Sequence, residues 1–278
     1  MKPDEPDQGL VRCRRSVAVR HPDSPRVQVT AHRGSSGEAP ENTLAALHQA
    51  ISDGADYAEI DVQETADGQV VLLHDADLMR VAGLSTNVWE ASLDDLRRVD
   101  VGSWFSPQFV NARIPTLAEA LHAATGRIGL NIELKLNGHE RHLAESVVKL
   151  VRSAQCVESC IITSQDQAAL ARVRELAPEM RIGWIVTAAS GEASRLDLDL
   201  LSMHLDLVTA KRVHANRAVG LATHVWTVDD PDDMLRMIDL GVDNIITNRP
   251  ARLRALIGQR ASLADDKWPL ARARQMGG

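Results

Sequence analysis

A (β/α)8 barrel of the TIM type, an α/β fold with a small capping segment inserted after the third strand, is the fold class that three observations predict. Short runs rich in β-branched and aliphatic residues alternate along the chain with longer runs of helical period, the pattern of βα units around a parallel sheet. The chain has 278 residues, and single barrels of this kind occupy about 250. Hydrophobic residues make up 44% and charged residues 25%, which suffices for one large core and excludes wholesale disorder.

Strands are expected at Val27 to Ala31, Tyr57 to Val62, Val70 to His74, Ile128 to Lys135, Cys160 to Thr163, Ile182 to Val186, Leu200 to His204, His224 to Val228 and Asn244 to Thr247. Helices are expected at Glu41 to Ser52, Leu117 to Ala124, Glu140 to Ser153, Gln165 to Leu176, Ala210 to Val219 and Pro231 to Leu240. Nine strands for eight barrel places is one too many. The pair at 57–62 and 70–74 is the source expected, because Ala66-Asp67-Gly68 joins them as a hairpin-type link with no helix between. Residues 75–115 hold no strong periodicity but carry Trp89, Trp104, Phe105 and Phe109, half of the aromatic residues. They are expected to form the insertion, capping one barrel face, with the aromatics in its core rather than on a ligand.

The barrel is expected to span 27–260, between a flexible arm at 1–26 and a frayed tail at 261–278. The arm carries Pro3, Pro6, Pro22 and Pro25 around Arg12, Arg14, Arg15 and Arg20. A solvated tail is its plain reading, and membrane-surface contact the less favoured one. The formal charge of −7 and the 3% aromatic content argue against nucleic acid as a partner. Cys13, Cys156 and Cys160 form neither an even disulfide set nor a zinc pattern and are expected to be reduced thiols. With no membrane-length apolar run and no signal-peptide pattern, the expected location is cytoplasmic.

Charged residues inside apolar strands need a reason, since barrel interiors favour branched apolar side chains. Four places show them. His32-Arg33-Gly34 follows the first strand, Glu59 and Asp61 share one strand face, His74-Asp75 follows a continuous apolar run, and Glu133 and Lys135 share another face. Each alone has a bland explanation as a satisfied histidine, a solvated face or an internal ion pair. Strand C-termini of a parallel barrel open on one face, so His32, Arg33, Glu59, Asp61, His74, Glu133 and Lys135 are expected to converge there. Three gathered carboxylates repel one another unless a cation sits among them, and a hard divalent ion, Mg2+ or Ca2+, suits their oxygens better than zinc. Two imidazoles then offer a proton acceptor and a proton donor, while Arg33 and Lys135 suit a phosphate. The set describes phosphoryl transfer to water or an internal hydroxyl.

At this point the sequence resembles the glycerophosphodiester phosphodiesterase family. The resemblance runs in order through His32-Arg33-Gly34, Pro40-Glu41-Asn42-Thr43, Gly54-Ala55-Asp56-Tyr57 with Glu59 and Asp61, Asp67-Gly68 then His74-Asp75, Ile114-Pro115-Thr116-Leu117, Glu133 with Lys135, Trp226-Thr227-Val228 and the block from Gly241 to Pro250. It implies a (β/α)8 barrel and a metal-dependent phosphoric diester hydrolase that releases glycerol 3-phosphate from a small glycerophosphodiester, a role in lipid and glycerol metabolism. His32 and His74 match the acid/base pair, Glu59, Asp61 and Glu133 the metal ligands, and Arg33 and Lys135 the phosphate-holding groups. Glu41 lies in a family motif, either as a direct or supporting metal contact or as a first-turn helix carboxylate. Trp226 either lines the pocket or fills the barrel mouth. Many members carry Asp where this chain has Asn248, so no charge-dependent role is implied there. The alternative substrate is a lysophospholipid or N-acylethanolamine glycerophospholipid, cleaved by lysophospholipase D activity, and a barrel that binds phosphodiesters without turnover is the reading from another class.

Overall fold

The structure, a computed structural model, describes residues 27–187 and 196–260, so the expected arm at 1–26, the tail at 261–278 and Cys13 lie outside the described residues. The first half runs β1 (Gln28–Ala31), α1 (Leu44–Ser52), β2 (Tyr57–Glu64), β3 (Val70–Leu72), β4 (Asp77–Leu78), α2 (Met79–Ala82), β5 (Leu84–Asn87), α3 (Leu93–Leu96), α4 (Leu117–Ala124) and β6 (Gly129–Leu134). The second runs α5 (Leu143–Ser153), β7 (Cys160–Ser164), α6 (Gln167–Leu176), β8 (Arg181–Val186), β9 (Leu200–His204), α7 (Ala210–Ala218), β10 (Ala222–Trp226), α8 (Pro231–Leu240) and β11 (Asn244–Thr247), with a last helical stretch at 250–260.

Among the described residues, eight parallel strands pair in the order β1, β2, β6, β7, β8, β9, β10, β11, and β11 pairs back to β1. The sheet therefore closes on itself. The surplus strand is β3, which folds back antiparallel on β2 with Val62 opposite Leu72 and Glu64 opposite Val70. Gly68 takes φ +78° in the link between them, a left-handed conformation that costs glycine little.

Local chemistry sets the helix starts. Thr43, Thr116, Asp166, Thr209 and Asp230 each accept a backbone N–H of the first turn, satisfying donors that the helix leaves orphaned. The helix expected from Glu41 begins instead at Leu44, because Thr43 is its cap and Asn42 sits at φ +53°. Glu41 is therefore not a first-turn carboxylate.

Alternation along the strands separates two environments. Outward-facing Val29, Ile60, Val62, Leu130, Ile132, Ile162, Ile182, Met203, Val225 and Ile245 pack under the helices in the main hydrophobic core. Inward-facing positions mix small and polar residues with a separate apolar cluster of Tyr57, Ile161 and Leu200. Tyr57 lies beside Gly129 in the β2–β6 register, and a Cβ on Gly129 would come within 2.4 Å of the Tyr57 ring. Large faces small there, as close packing of a barrel floor requires. Cys156 and Cys160 are both buried free thiols.

Residues 75–115 form the expected insertion, built from β4, β5, α2, α3 and irregular turns. Its core is aliphatic, with Leu78, Val81, Val88, Leu96, Val101 and Ile114 packed on Val71 and Leu73. Of the four aromatics, Trp89 packs against that core, while Trp104, Phe105 and Phe109 are not part of it. Trp104 is 46% exposed, edge-on to Phe105, which meets Phe109 likewise, while partly buried Trp89 stacks on His139 of the loop after β6 at 4.2 Å.

One inward residue has a measurable consequence. His224 is buried beside Asn244, and its Nδ1 finds no protein partner. Burial and then the charge of Arg181 push its pKa down to about 3, against about 6.5 in an unfolded chain. The folded state thus keeps it neutral while the unfolded state takes up a proton, and stability present above pH 6.5 is lost as pH falls toward 3. Between pH 7 and pH 5 the wild type should lose about 2 kcal/mol that His224→Gln does not lose, at 1.36 kcal/mol per unit. Urea unfolding of both proteins at the two pH values measures this, and parallel losses would contradict it.

Candidate active site

The mouth at the C-terminal ends of the strands gathers every site residue expected from sequence, though one arrives by another route. His32 follows β1, Glu59 and Asp61 lie on β2, Glu133 lies on β6 with Lys135 just beyond it, and Trp226 ends β10. His74 does not stand at the exit of a parallel strand. Because β3 runs antiparallel, the chain descends from the rim, and the Leu73 N–H donates to the Asp61 carbonyl at 3.1 Å, delivering His74 at the level of the carboxylates.

A cavity of about 440 Å³ is lined by His32, Arg33, Glu59, His74, Asn131, Glu133, Lys135, Thr163, Gln165, Ile185, Ser202, Trp226 and Ile246. None of the insertion's four aromatics lines it. A more open groove of about 590 Å³ shares Glu133, Lys135 and Gln165 with it.

Asp61 and Glu133 are paired in the β2–β6 register, and Glu59 lies one inward position below. One oxygen from each of these three carboxylates lies within 4.8 Å of the others. Glu59 and Asp61 are buried, and Glu133 is largely so. Burial first, then repulsion from Asp61 and Glu133, raises the Glu59 pKa well above the usual carboxylate range. The same causes, burial and then Asp61, lift Glu133 to about 7 despite Lys135. Glu59 Oε1 is buried with no hydrogen-bond partner. Crowded oxygens with one left unpartnered are the donor set of a hard divalent cation, so the residues fit such an ion. Glu41 is not among them.

Two cations flank the cluster. Arg33 Nε lies 3.3 Å from Asp61 Oδ2, and Lys135 Nζ lies 3.0 Å from Glu133 and 3.9 Å from Asp61. Burial works against the charge of both, but the surrounding carboxylates more than offset it and raise both pKa values. Arg33 takes φ +54°, and its N–H donates to Glu59 Oε2 at 2.8 Å. The next residue must be glycine, since a Cβ on Gly34 would sit 2.6 to 2.7 Å from Ala46 of α1. This is why His-Arg-Gly occurs as a unit.

Both histidines are oriented through Nδ1. His32 Nδ1 meets Asn248 Oδ1 at 2.8 Å, and the Asn248 amide is itself aimed by donating Nδ2–H to Asp229 Oδ2 at 2.6 Å. The facing oxygen can only accept, so His32 carries its proton on Nδ1 and presents a free Nε2. His74 Nδ1 meets Asp75 Oδ1 at 2.7 Å, and its Nε2 accepts from the Lys135 ammonium at 3.3 Å. The two contacts agree on the same tautomer. Burial and then Arg33 push the His32 pKa below its ordinary value, which favours the neutral base.

Asn42, Gln63, Glu41 and Asn248 hold this set in place, and of these the sequence singled out Glu41 and Asn248 but not their partners. Asn42 brackets Asp61, donating Nδ2–H to Oδ2 and accepting its backbone N–H at Oδ1. Gln63 donates to the carbonyls of Leu73 and Asp75. Glu41 binds Arg33 and Arg80, whose hydrogen bonds and charges bring its pKa below the ordinary value against burial. Asn248 orients His32 through its side-chain oxygen. The sequence signal for Asn42 is its place beside Glu41 in Pro40-Glu41-Asn42-Thr43. Trp226 lines the cavity, with its indole N–H donating to the Ser202 carbonyl at 3.1 Å.

Residues 32–252 match the glycerophosphoryl diester phosphodiesterase family. A glycerophosphodiester phosphodiesterase of Caldanaerobacter subterraneus subsp. tengcongensis is 34% identical over 236 residues, covering 82% of this chain and 97% of its own. One from Bacillus subtilis (strain 168) is 32% identical over 248 residues, covering 81% and 84%. Among solved structures, an Oleispira antarctica phosphodiesterase in complex with its product sn-glycerol-3-phosphate superposes with a TM-score of 0.79 at 31% identity, over 86% of this chain and 100% of that one.

Adding Mg2+ or Ca2+ at about a hundredfold over its dissociation constant should stabilise the chelated protein by about 2.7 kcal/mol. In Glu59→Gln and Glu133→Gln that gain should vanish, while the cation-free variants unfold at a higher temperature than the cation-free wild type because one repelling charge is gone. Thermal midpoints with and without chelator measure both effects. An equal cation shift in wild type and variants would place the ion elsewhere.

Proposed function

The chain belongs to the glycerophosphoryl diester phosphodiesterase family, and on that premise we propose that it hydrolyses small glycerophosphodiesters to glycerol 3-phosphate and an alcohol by two-histidine acid/base catalysis. The observation that carries this reading is the convergence of His32, His74, Arg33, Lys135, Glu59 and Glu133 on one cavity, with Asp61 completing the carboxylate cluster. Glu59, Asp61 and Glu133 would hold the divalent cation, Mg2+ or Ca2+, which when bound supplies Lewis-acid polarisation of the phosphoryl oxygens. Arg33 offers a planar guanidinium and Lys135 a mobile ammonium to the same phosphate.

The residues supply the proton movements. The glycerol 2-hydroxyl gives its proton to Nε2 of one histidine as its oxygen attacks phosphorus, and the other histidine, which enters the step as an imidazolium with a second proton on Nε2, gives that proton to the oxygen of the departing alcohol. The P–O bond to that alcohol breaks and a cyclic phosphate remains. Water then opens the ring with the two histidines exchanging roles, leaving glycerol 3-phosphate. Holding the hydroxyl and phosphate in one cavity makes the first step intramolecular, where orientation alone removes much of the barrier.

A short diester is favoured over the lysophospholipid alternative by the cavity wall. Its polar floor of Asn131, Thr163 and Ser202 suits hydroxyl groups, and none of Trp89, Trp104, Phe105 and Phe109 reaches it to hold an acyl chain. Glycerol 3-phosphate should be released from glycerophosphocholine and glycerophosphoethanolamine with Mg2+ or Ca2+, and chelator should abolish it. His32→Ala and His74→Ala should each lower kcat by about 10²- to 10⁴-fold. Metal-dependent loss of choline or ethanolamine from lysolipids, with no glycerol 3-phosphate from either diester, would instead establish lysophospholipase D activity.

A further inference from the structure

We propose that Arg80, contributed by the insertion, is a positioning residue that sets His74 and Arg33 at the same time. The inference rests on the roles proposed above for those two side chains. Arg80 Nε donates to Asp75 Oδ2 at 2.6 Å, while its Nη1 and Nη2 donate to Glu41 Oε2 and Oε1 at 2.6 and 2.8 Å. Each carboxylate it grips holds a residue of the mouth with its other contacts. Asp75 Oδ1 meets His74 Nδ1 at 2.7 Å, and Glu41 Oε1 accepts from Arg33 Nη1 at 2.8 Å.

His74, Asp75, Arg80, Glu41 and Arg33 thus form one continuous chain of hydrogen bonds across the rim. Its two carboxylates come from separate places, the loop before α1 and the exit of β3. Without the guanidinium between them they would repel, and each would be free to turn away from the residue it orients. Arg80 does not line the cavity, and its side chain is 41% exposed, so it acts through its neighbours. It is held from below by the packing of the insertion, since the adjacent Val81 and nearby Leu78 are buried in the insertion's own core. The insertion therefore registers against the barrel mouth through a planar fork, a geometry that an ammonium cannot reproduce.

The test compares wild type, Arg80→Gln, Arg80→Lys, Asp75→Asn and the double variant Arg80→Gln/Asp75→Asn. Kinetics on glycerophosphocholine at saturating cation are paired with the side-chain 15N spectrum of His74. Arg80→Gln should lower kcat about 10- to 100-fold, the order that small misplacement of a catalytic group costs, and raise KM severalfold through Arg33. Lys should restore only part of the loss. His74 in Arg80→Gln should lose its single Nδ1–H signature and show mixed tautomers, while the cation-induced rise of the unfolding midpoint stays at the wild-type value. The double variant should have a kcat no lower than that of Asp75→Asn alone, with the KM of Arg80→Gln. Unchanged kinetics in Arg80→Gln, fully additive losses in the double variant, or an unaltered His74 spectrum would overturn the proposal. If the wild type fails to cleave the diester, the function proposed above falls, and the tautomer of His74 with and without Arg80 still decides the positioning role.

Discussion

Glu59, Asp61 and Glu133 place three carboxylates, two of them buried, within 4.8 Å of one another, and the mouth of this barrel is arranged around that repulsion. Charged oxygens removed from water are costly unless paired, and mutual repulsion adds to the cost. The raised pKa values of Glu59 and Glu133 express that cost directly. Compensation comes from cations and from directed N–H groups: Arg33, Lys135, the Arg33 backbone and Asn42 all address these three side chains. With Glu41 and Asp75, the carboxylates of Asp61 and Glu133 meet the three cations Arg33, Lys135 and Arg80, while Glu59 is met by the Arg33 backbone N–H. A divalent ion among the three clustered carboxylates would offset the repulsion that remains.

The scaffold meets this demand through strand parity and register. Alternation sends Glu59, Asp61 and Glu133 inward while Ile60, Val62, Ile132 and Leu134 face the helices, so the polar mouth and the apolar core are built from the same strands. The β2–β6 register places Asp61 beside Glu133, and a slip of one residue would send both to the helix side. Outside this ring, each working side chain has its own support. Asp229 aims Asn248 at His32, Asp75 aims His74, and Glu41 holds Arg33. Such supports matter because a reacting group displaced by a fraction of an ångström loses much of its advantage.

What could be read from sequence was what local period encodes. The spacing of two in Glu59-Ile60-Asp61 and Glu133-Leu134-Lys135 shows a shared face, and apolar runs ending in His32 and His74 mark strand exits, so the site residues were legible together with the barrel. The surplus strand was legible from Ala66-Asp67-Gly68, but the direction of β3, and hence the descent of His74 into the mouth, depends on pairing that no local pattern states. Helix starts shifted where a cap decides them, as at Thr43, which moved Glu41 out of α1 and into contact with Arg33. The link of Arg80 to Glu41 and the role of Asn248 stayed hidden because Glu41 and His32 lie 39 and 216 residues away from them along the chain. The aromatics of the insertion misled because composition suggests a core without saying which side chains fill it, and short aliphatic residues do so here.

The claim on which the account turns is that the three carboxylates share one divalent cation, and anomalous diffraction from crystals grown with Mn2+ tests it most directly. A single strong anomalous peak bonded to oxygens of Glu59, Asp61 and Glu133 is the result predicted. A mouth without that peak, or a peak held by other residues while these carboxylates stay unliganded, would contradict the account.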